Sequence, residues 1–199
     1  MNCLPSIFND VIGPVMRGPS SSHTAASWRV ANMSLQLLSD QLSNAIIEFD
    51  KDGTWAANYK EQGTVMGMNG GLLEIAMADN DMKRTEIIAK ERGVEISYHI
   101  GSFENNHPNS MQLKLTGTNA NHVEILAASI GGGSFEIQKV DGFNVLVKGD
   151  YYELFIWTDK NIAVAFQEIF PDGTQFQIHE RSGSYLYVTK SYNPFDKGL

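Results

Sequence analysis

From Ala26 onward, apolar side chains fall at Ala26, Val30, Met33 and Leu37, a spacing that places them on one face of a helix and predicts that this face is buried. The period then changes. Ala45-Ile46-Ile47-Glu48-Phe49 reads as a strand, and Asp52-Gly53 supplies a two-residue hairpin turn into a second strand over Thr54–Tyr59. Gly63 to Met77 is apolar over the length of a helix, although Gly67, Gly70 and Gly71 each lower helix propensity by roughly 1 kcal/mol against Ala. Such glycines are tolerable where another backbone packs closely. Asp79-Asn80-Asp81 offers a cap to a further helix through Lys90, which Gly93 ends, and Val94–His99 follows as a strand.

Met111–Leu115 and His122–Ile130 alternate apolar and polar side chains, as half-buried strands do. Ser134–Val140 and Asn144–Lys148 flank Asp141-Gly142, a strong hairpin signal. Gly131-Gly132-Gly133 is either a flexible turn or a place where backbone closely approaches a ligand or partner. Strands grouped around a few helices, without strict alternation, predict an α+β fold with helices layered on a mostly antiparallel sheet. Beyond Gly149 the character changes. Tyr151–Trp157 reads as a strand, Asn161–Phe170 as a short helix and Pro171-Asp172-Gly173 as a turn. Gln175–Glu180 and Tyr185–Thr189 then form a hairpin across Arg181-Ser182-Gly183-Ser184. The expected organisation is a main domain over residues 1–149 and a small βαββ unit over 150–199. Tyr151–Trp157 and Tyr185–Thr189 would leave edges of a very small sheet unpaired, so a homodimer through this tail is expected.

Composition narrows the function classes. A formal net charge of -8 at pH 7 argues against nucleic acid or an anionic membrane surface as partner, because both require a basic patch. Cys3 is the single cysteine, so no intrachain disulfide is possible and no iron–sulfur cluster can be held by this chain's thiolates alone. The histidines His23, His99, His107, His122 and His179 show no paired metal-ligand spacing. Neither a long apolar run nor a basic-then-apolar leader is present, and a cytoplasmic location is expected.

The candidate chemistry lies just ahead of the first helix, in Gly13-Pro14-Val15-Met16-Arg17-Gly18-Pro19-Ser20-Ser21-Ser22-His23-Thr24. Serine is a preferred N-cap, and a helix N-terminus offers N–H donors and partial positive charge to a carboxylate or phosphate. One serine suffices to cap. The rest are either solvated loop or the lining of a polar small-molecule pocket. Phosphate or nucleotide binding is the weaker form of that pocket, since no P-loop lysine follows the glycine.

The Gly-Pro-Ser-Ser-Ser-His-Thr run resembles the opening signature of the beta chain or beta domain of bacterial iron–sulfur-dependent L-serine dehydratases. Three further stretches agree in order and spacing. They are Gly53–Thr64, Asn106-His107-Pro108-Asn109-Ser110, and Ser129-Ile130-Gly131-Gly132-Gly133 with Ile137 and Asp141-Gly142-Phe143 beyond it. The similarity runs from Ile7 to about Lys148. It implies an allosteric-substrate-binding-type layered domain, a cysteine-bearing alpha chain as partner, and a 4Fe-4S cluster carried by that alpha chain rather than by this one. It implies L-serine as substrate, with Ser20, Ser21, Ser22, Thr24 and Asn109 binding it and His23 and His107 in catalytic roles. The tail resembles the first part of an ACT domain, although Thr158-Asp159-Lys160-Asn161 stands where the family carries an Asp-Arg-Pro-Gly type of loop.

One segment departs from the family. Gln62 and Val65 stand where Gly-His-Gly-Thr-Asp would place its histidine and aspartate. Gln takes up no proton at neutral pH, and Val accepts no hydrogen bond from an imidazole. That departure leaves a second reading beside the catalytic subunit, a noncatalytic regulatory module binding L-serine or a similar small anion.

Overall fold

The computed structural model describes residues 15–104, 107–170 and 176–195. Cys3, Gly13-Pro14, Asn106 and the Pro171-Asp172-Gly173 turn named above lie outside the described residues. The fold is α+β. Six strands form the main sheet: β1 (Leu42–Asp50), β2 (Glu95–Gly101), β3 (Ser110–Gly117), β4 (His122–Gly131), β5 (Ser134–Val140) and β6 (Phe143–Val147). Their order is β2-β1-β3-β4-β5-β6, antiparallel throughout except for the parallel β1/β2 pair.

Register aligns one apolar face across this sheet. Ile47 lies opposite Leu113, which lies opposite Ile125, and Met111 lies opposite Ala127, which lies opposite Ile137. All six are completely or almost completely buried. Helix α1 (Thr24–Leu38) lies against β3, β4 and β5 and closes that face with Ala26, Val30, Ala31 and Leu38. Helix α2 (Thr64–Leu72) packs on α1 at very close range. A Cβ at Gly67 would meet the Thr24 carbonyl and the Ser27 hydroxyl, and one at Gly71 would meet the Trp28 carbonyl. The glycines that weaken the helix are therefore what allow the two backbones to meet. A 3-10 turn (Asn80–Arg84) leads into α3 (Thr85–Glu91), with Asp79 Oδ1 accepting the Asp81 N–H at 2.9 Å.

The strand expected over Thr54–Tyr59 does not form. Both sides of β1 are occupied, by β2 and β3, so no returning hairpin strand has an edge to join. Instead the chain coils: Asp50 Oδ1 accepts the Asp52 N–H at 2.9 Å, and the Trp55 carbonyl accepts the N–H groups of Asn58 (3.1 Å) and Tyr59 (2.9 Å). Trp55 and Tyr59, four residues apart, both turn toward Phe49, with ring centroids at 5.5 and 5.0 Å. Tyr98 of β2 stacks on the same phenyl ring at 6.2 Å.

The remaining elements are β7 (Tyr152–Thr158), α4 (Ala163–Ile169), β8 (Phe176–Arg181) and β9 (Ser184–Ser191). They form a three-stranded antiparallel sheet ordered β7-β9-β8. The segment expected at an edge, Tyr185–Thr189, is the central strand, and β7 and β8 are the edges. Leu186 and Val188 pack with Phe143 of β6, and Lys190 Nζ donates to the Leu146 carbonyl at 2.8 Å. Among the described residues, no helix is long and apolar enough to cross a membrane.

Candidate functional site

Ser20, Ser21 and Ser22 wind as a helical turn ahead of α1. The Ser20 carbonyl accepts the N–H groups of His23 (3.1 Å) and Thr24 (2.7 Å), and the Ser21 carbonyl accepts those of Ala25 and Ala26 (both 3.1 Å). His23 is the N-cap residue, with no side-chain capping bond. The expected serine cap is thus replaced by serine carbonyls, because the run is itself wound into the helix path. Those N–H donors are occupied, so the first turn of α1 does not offer them to an anion, and the hydroxyls are released for other contacts.

Two of the hydroxyls converge on the imidazole. Ser20 Oγ lies 3.1 Å from Ser22 Oγ and 3.1 Å from His23 Nδ1, with Ser22 Oγ at 3.4 Å from the same nitrogen. On its other side, His23 Nε2 lies 3.1 Å from Asn58 Oδ1. The ring leans on Trp55 at 5.6 Å between centroids. Burial pushes the His23 pKa below its ordinary value, and the Asn58 hydrogen bond opposes that shift. The net shift favours the neutral imidazole. Trp55 Nε1 is buried with no hydrogen-bond partner among the described residues.

Thr24 turns the other way. Its side chain is wholly buried, and its hydroxyl donates to the Gln62 carbonyl at 3.2 Å. Gly63, at a φ of 84°, sits beneath that contact, where a Cβ would collide with the Thr24 hydroxyl and lie 2.8 Å from Pro19. The loop is therefore held against α1 by a residue without a side chain, in a backbone region that favours glycine. Gln62 and Val65 are half-buried at the end of this loop and the start of α2.

The His107–Ser110 loop joins the same corner through Ser129 at the end of β4. Ser129 Oγ donates to the Ser22 carbonyl at 2.9 Å, while Ser129 N–H donates to the Asn109 carbonyl at 3.0 Å. Thr54 adds a second tie, its N–H donating to the Pro108 carbonyl at 3.0 Å and its hydroxyl to Asn109 Oδ1. His107 Nδ1 accepts the Asn109 N–H at 3.1 Å, and the His107 carbonyl accepts the Ser110 hydroxyl at 2.7 Å. Next to Ser129, the glycine run turns β4 into β5, and Arg29 of α1 donates to the Gly133 carbonyl. The serine run, the Gly53–Thr64 loop, the His107–Ser110 loop and Ser129–Gly133 thus meet at one end of the sheet, whereas Asp141-Gly142-Phe143 turns at the opposite end, beside Glu124.

No family model matches the chain. Sequence comparison does find relatives. The chain is 33% identical over 151 residues to a protein described as the probable L-serine dehydratase beta chain of Bacillus subtilis (strain 168). That match covers 76% of this chain and 67% of the relative. It is 28% identical over 171 residues to the L-serine dehydratase beta chain of Peptoniphilus asaccharolyticus, covering 85% of this chain and 76% of the relative. The chain belongs to the L-serine dehydratase beta-chain family.

The structure adds Asn58 and Trp55 to the corner, the first at His23 Nε2 and the second against its ring. Neither was singled out as a site residue, because Thr54–Tyr59 read as a strand. A signal was present: Trp55 and Tyr59 are four apart, a spacing that fits a helical turn with both rings inward and Asn58 beside them. A cavity of about 1040 Å³ lies elsewhere, in the seam between the two sheets, with His122, Asp141, Trp157 and Arg181 on its walls. It shares no residue with the motif corner.

Proposed function

We propose that this chain is the beta subunit of an L-serine dehydratase, the enzyme that eliminates water from L-serine to give pyruvate and ammonia. It contributes substrate-contacting residues at an interface with a cysteine-bearing alpha chain. The observation that carries this reading is the double hydrogen bond of Ser129, which ties the serine run and the His107–Asn109 loop to one strand end. Residues 107 apart in sequence are thereby brought into one polar corner.

The 4Fe-4S cluster is assigned to the alpha chain. One cysteine supplies too few thiolates, and among the described residues no group of three or more His, Cys, Asp or Glu is placed to hold a metal. In the complex the cluster would supply Lewis-acid polarisation of the substrate hydroxyl. What this chain adds is orientation and proton handling. Ser20, Ser22 and Asn109 present hydroxyl and amide groups suited to the polar ends of serine, and neutral His23 accepts a proton at Nδ1. Ser21 and His107 border the same corner, and Thr24 braces it from beneath. The tail is read as a truncated ACT-like unit that associates with itself.

The test is anaerobic reconstitution with the alpha chain, following pyruvate. Neither chain alone should turn over serine, and the pair should. Ser20→Ala and Ser22→Ala should raise KM about tenfold or more, in line with roughly 1.5–3 kcal/mol for a hydrogen bond to a charged group. The departures at Gln62 and Val65 favour a second reading, the noncatalytic serine-binding module. Equal turnover by the alpha chain with and without this chain, together with serine binding by this chain, would replace the first reading with the second.

A further inference from the structure

We propose that Asn58 is the positioning residue for His23: it holds the imidazole in the Nε2–H form and so makes Nδ1, facing Ser20 and Ser22, the nitrogen that exchanges protons in the active-site corner. The proposal rests on the serine dehydratase reading for its reaction, but its geometry stands independently of that reading.

A neutral imidazole has one N–H and one lone pair. Its Nε2 faces a carbonyl oxygen, Asn58 Oδ1, at 3.1 Å, and a carbonyl oxygen can only accept. Nε2 therefore carries the hydrogen and Nδ1 the lone pair. The groups around Nδ1 are two hydroxyls, at 3.1 and 3.4 Å, which can donate or accept by rotating. In the neutral state one of them, Ser20 by distance, points its hydrogen at Nδ1. When Nδ1 takes up a proton, the Nε2–H bond to Asn58 is unchanged. The new Nδ1–H then donates to Ser20 Oγ, and the Ser20 hydrogen must turn outward. Asn58 thereby makes Nδ1 the nitrogen that titrates, and couples its protonation to the direction in which Ser20 offers a hydrogen bond.

The arrangement is held from both sides. The Asn58 backbone is fixed in a turn, its N–H donating to the Trp55 carbonyl at 3.1 Å and its carbonyl accepting the Gln62 N–H at 3.0 Å. Trp55 and Tyr59 anchor that turn in the aromatic cluster around Phe49. The Trp55 ring lies against the imidazole and limits its rotation. Among the described residues, the groups recorded against His23 are hydroxyls, an amide and an indole, and none of these carries a charge that would fix the tautomer in the amide's place. A carboxamide suits the role because it accepts without adding charge, so the imidazole keeps the low pKa that burial imposes.

Nitrogen NMR of the full-length chain, with histidines labelled, reads tautomer and titration without requiring turnover. His23 should be the Nε2–H form and titrate below the usual histidine range. Asn58→Asp keeps the acceptor and adds a negative charge, so the tautomer should persist while the midpoint rises by about 1 pH unit or more. The acid limb of kcat/KM for the reconstituted complex should move up with it, at little change in KM. Asn58→Ala should give a tautomer mixture and lower kcat about tenfold or more, with circular dichroism and melting temperature as checks on the fold. His23 titrating identically, in one unchanged tautomer, in all three proteins would overturn the proposal. Shifts in the spectra with no movement of kcat or of the pH profile in an active complex would overturn its catalytic part. A complex in which even the unmodified chain supports no turnover would instead overturn the functional reading, leaving the spectra to decide the tautomer.

Discussion

At the serine-run end of the main sheet, polar groups face one another across short backbone connections, whereas the three-stranded unit is held together by rings. Phe166 lies 4.6 Å from Phe170, 5.2 Å from Tyr187 and 5.4 Å from Phe176 between centroids. Polar contacts there are few but placed, as where Tyr187 Oη accepts the Ile162 N–H at 2.8 Å and donates to Asn161 Oδ1 at 3.0 Å. The small sheet also leaves apolar surface uncovered: Val164 is 72% exposed, Ile169 57% and Tyr152 52%. In the serine-run corner, by contrast, hydroxyls, amides and an imidazole are held by backbone ties from four segments. Ring packing tolerates change, while the polar corner depends on each group staying where its partner can reach it.

The largest expected effect comes from the contact on which the polar corner rests. Gly71→Val would drive a side chain into the Trp28 carbonyl and to within 3 Å of Ala31 Cβ and Asn32 N. Overpacking between two helix backbones should cost about 3 kcal/mol or more, read as a lower urea midpoint. Deleting residues 150–199 comes next. It should abolish self-association in light scattering and uncover Phe143, yet leave the His23 titration in place, because nothing in the tail touches the corner among the described residues. Loss of the His23 signal on deletion would show that the two regions are not separable. Ser129→Ala is the smallest, removing the bond to the Ser22 carbonyl for about 1 kcal/mol of stability. Its KM for serine should rise more than its stability falls. A stability loss with KM unchanged would make Ser129 a brace for the fold alone.

Most of the sheet was legible because its strands carry their own alternation. Met111, Leu113 and Leu115 face one way whatever they pair with, and Asp141-Gly142, at φ of 49° and 78°, makes its hairpin locally. The misreading at Thr54–Tyr59 has a different origin. Asp52-Gly53 is a hairpin signal that considers only its neighbours, and the two strands that occupy both sides of β1 begin at Glu95 and Ser110. The candidate site divides in the same way. Ser20, Ser22 and His23 are adjacent in sequence and could be read together. Asn58 matters only because the fold places it against an imidazole 35 residues away, a relation that no local pattern carries. The serine cap failed for a local reason, since three residues that each favour an N-cap formed a turn whose carbonyls reached the helix first.

The central claim is that His23, set between Ser20 and Asn58, handles a proton in serine elimination by the assembled complex. His23→Ala, reconstituted anaerobically with the alpha chain and assayed at saturating serine, tests it most directly. General acid–base catalysis by one side chain is worth on the order of 10²–10⁴ in rate, so kcat should fall at least about a hundredfold. Assembly and iron content should match those of the unmodified complex. A kcat within twofold of the unmodified complex would contradict the claim and move the proton-handling group elsewhere in the assembly.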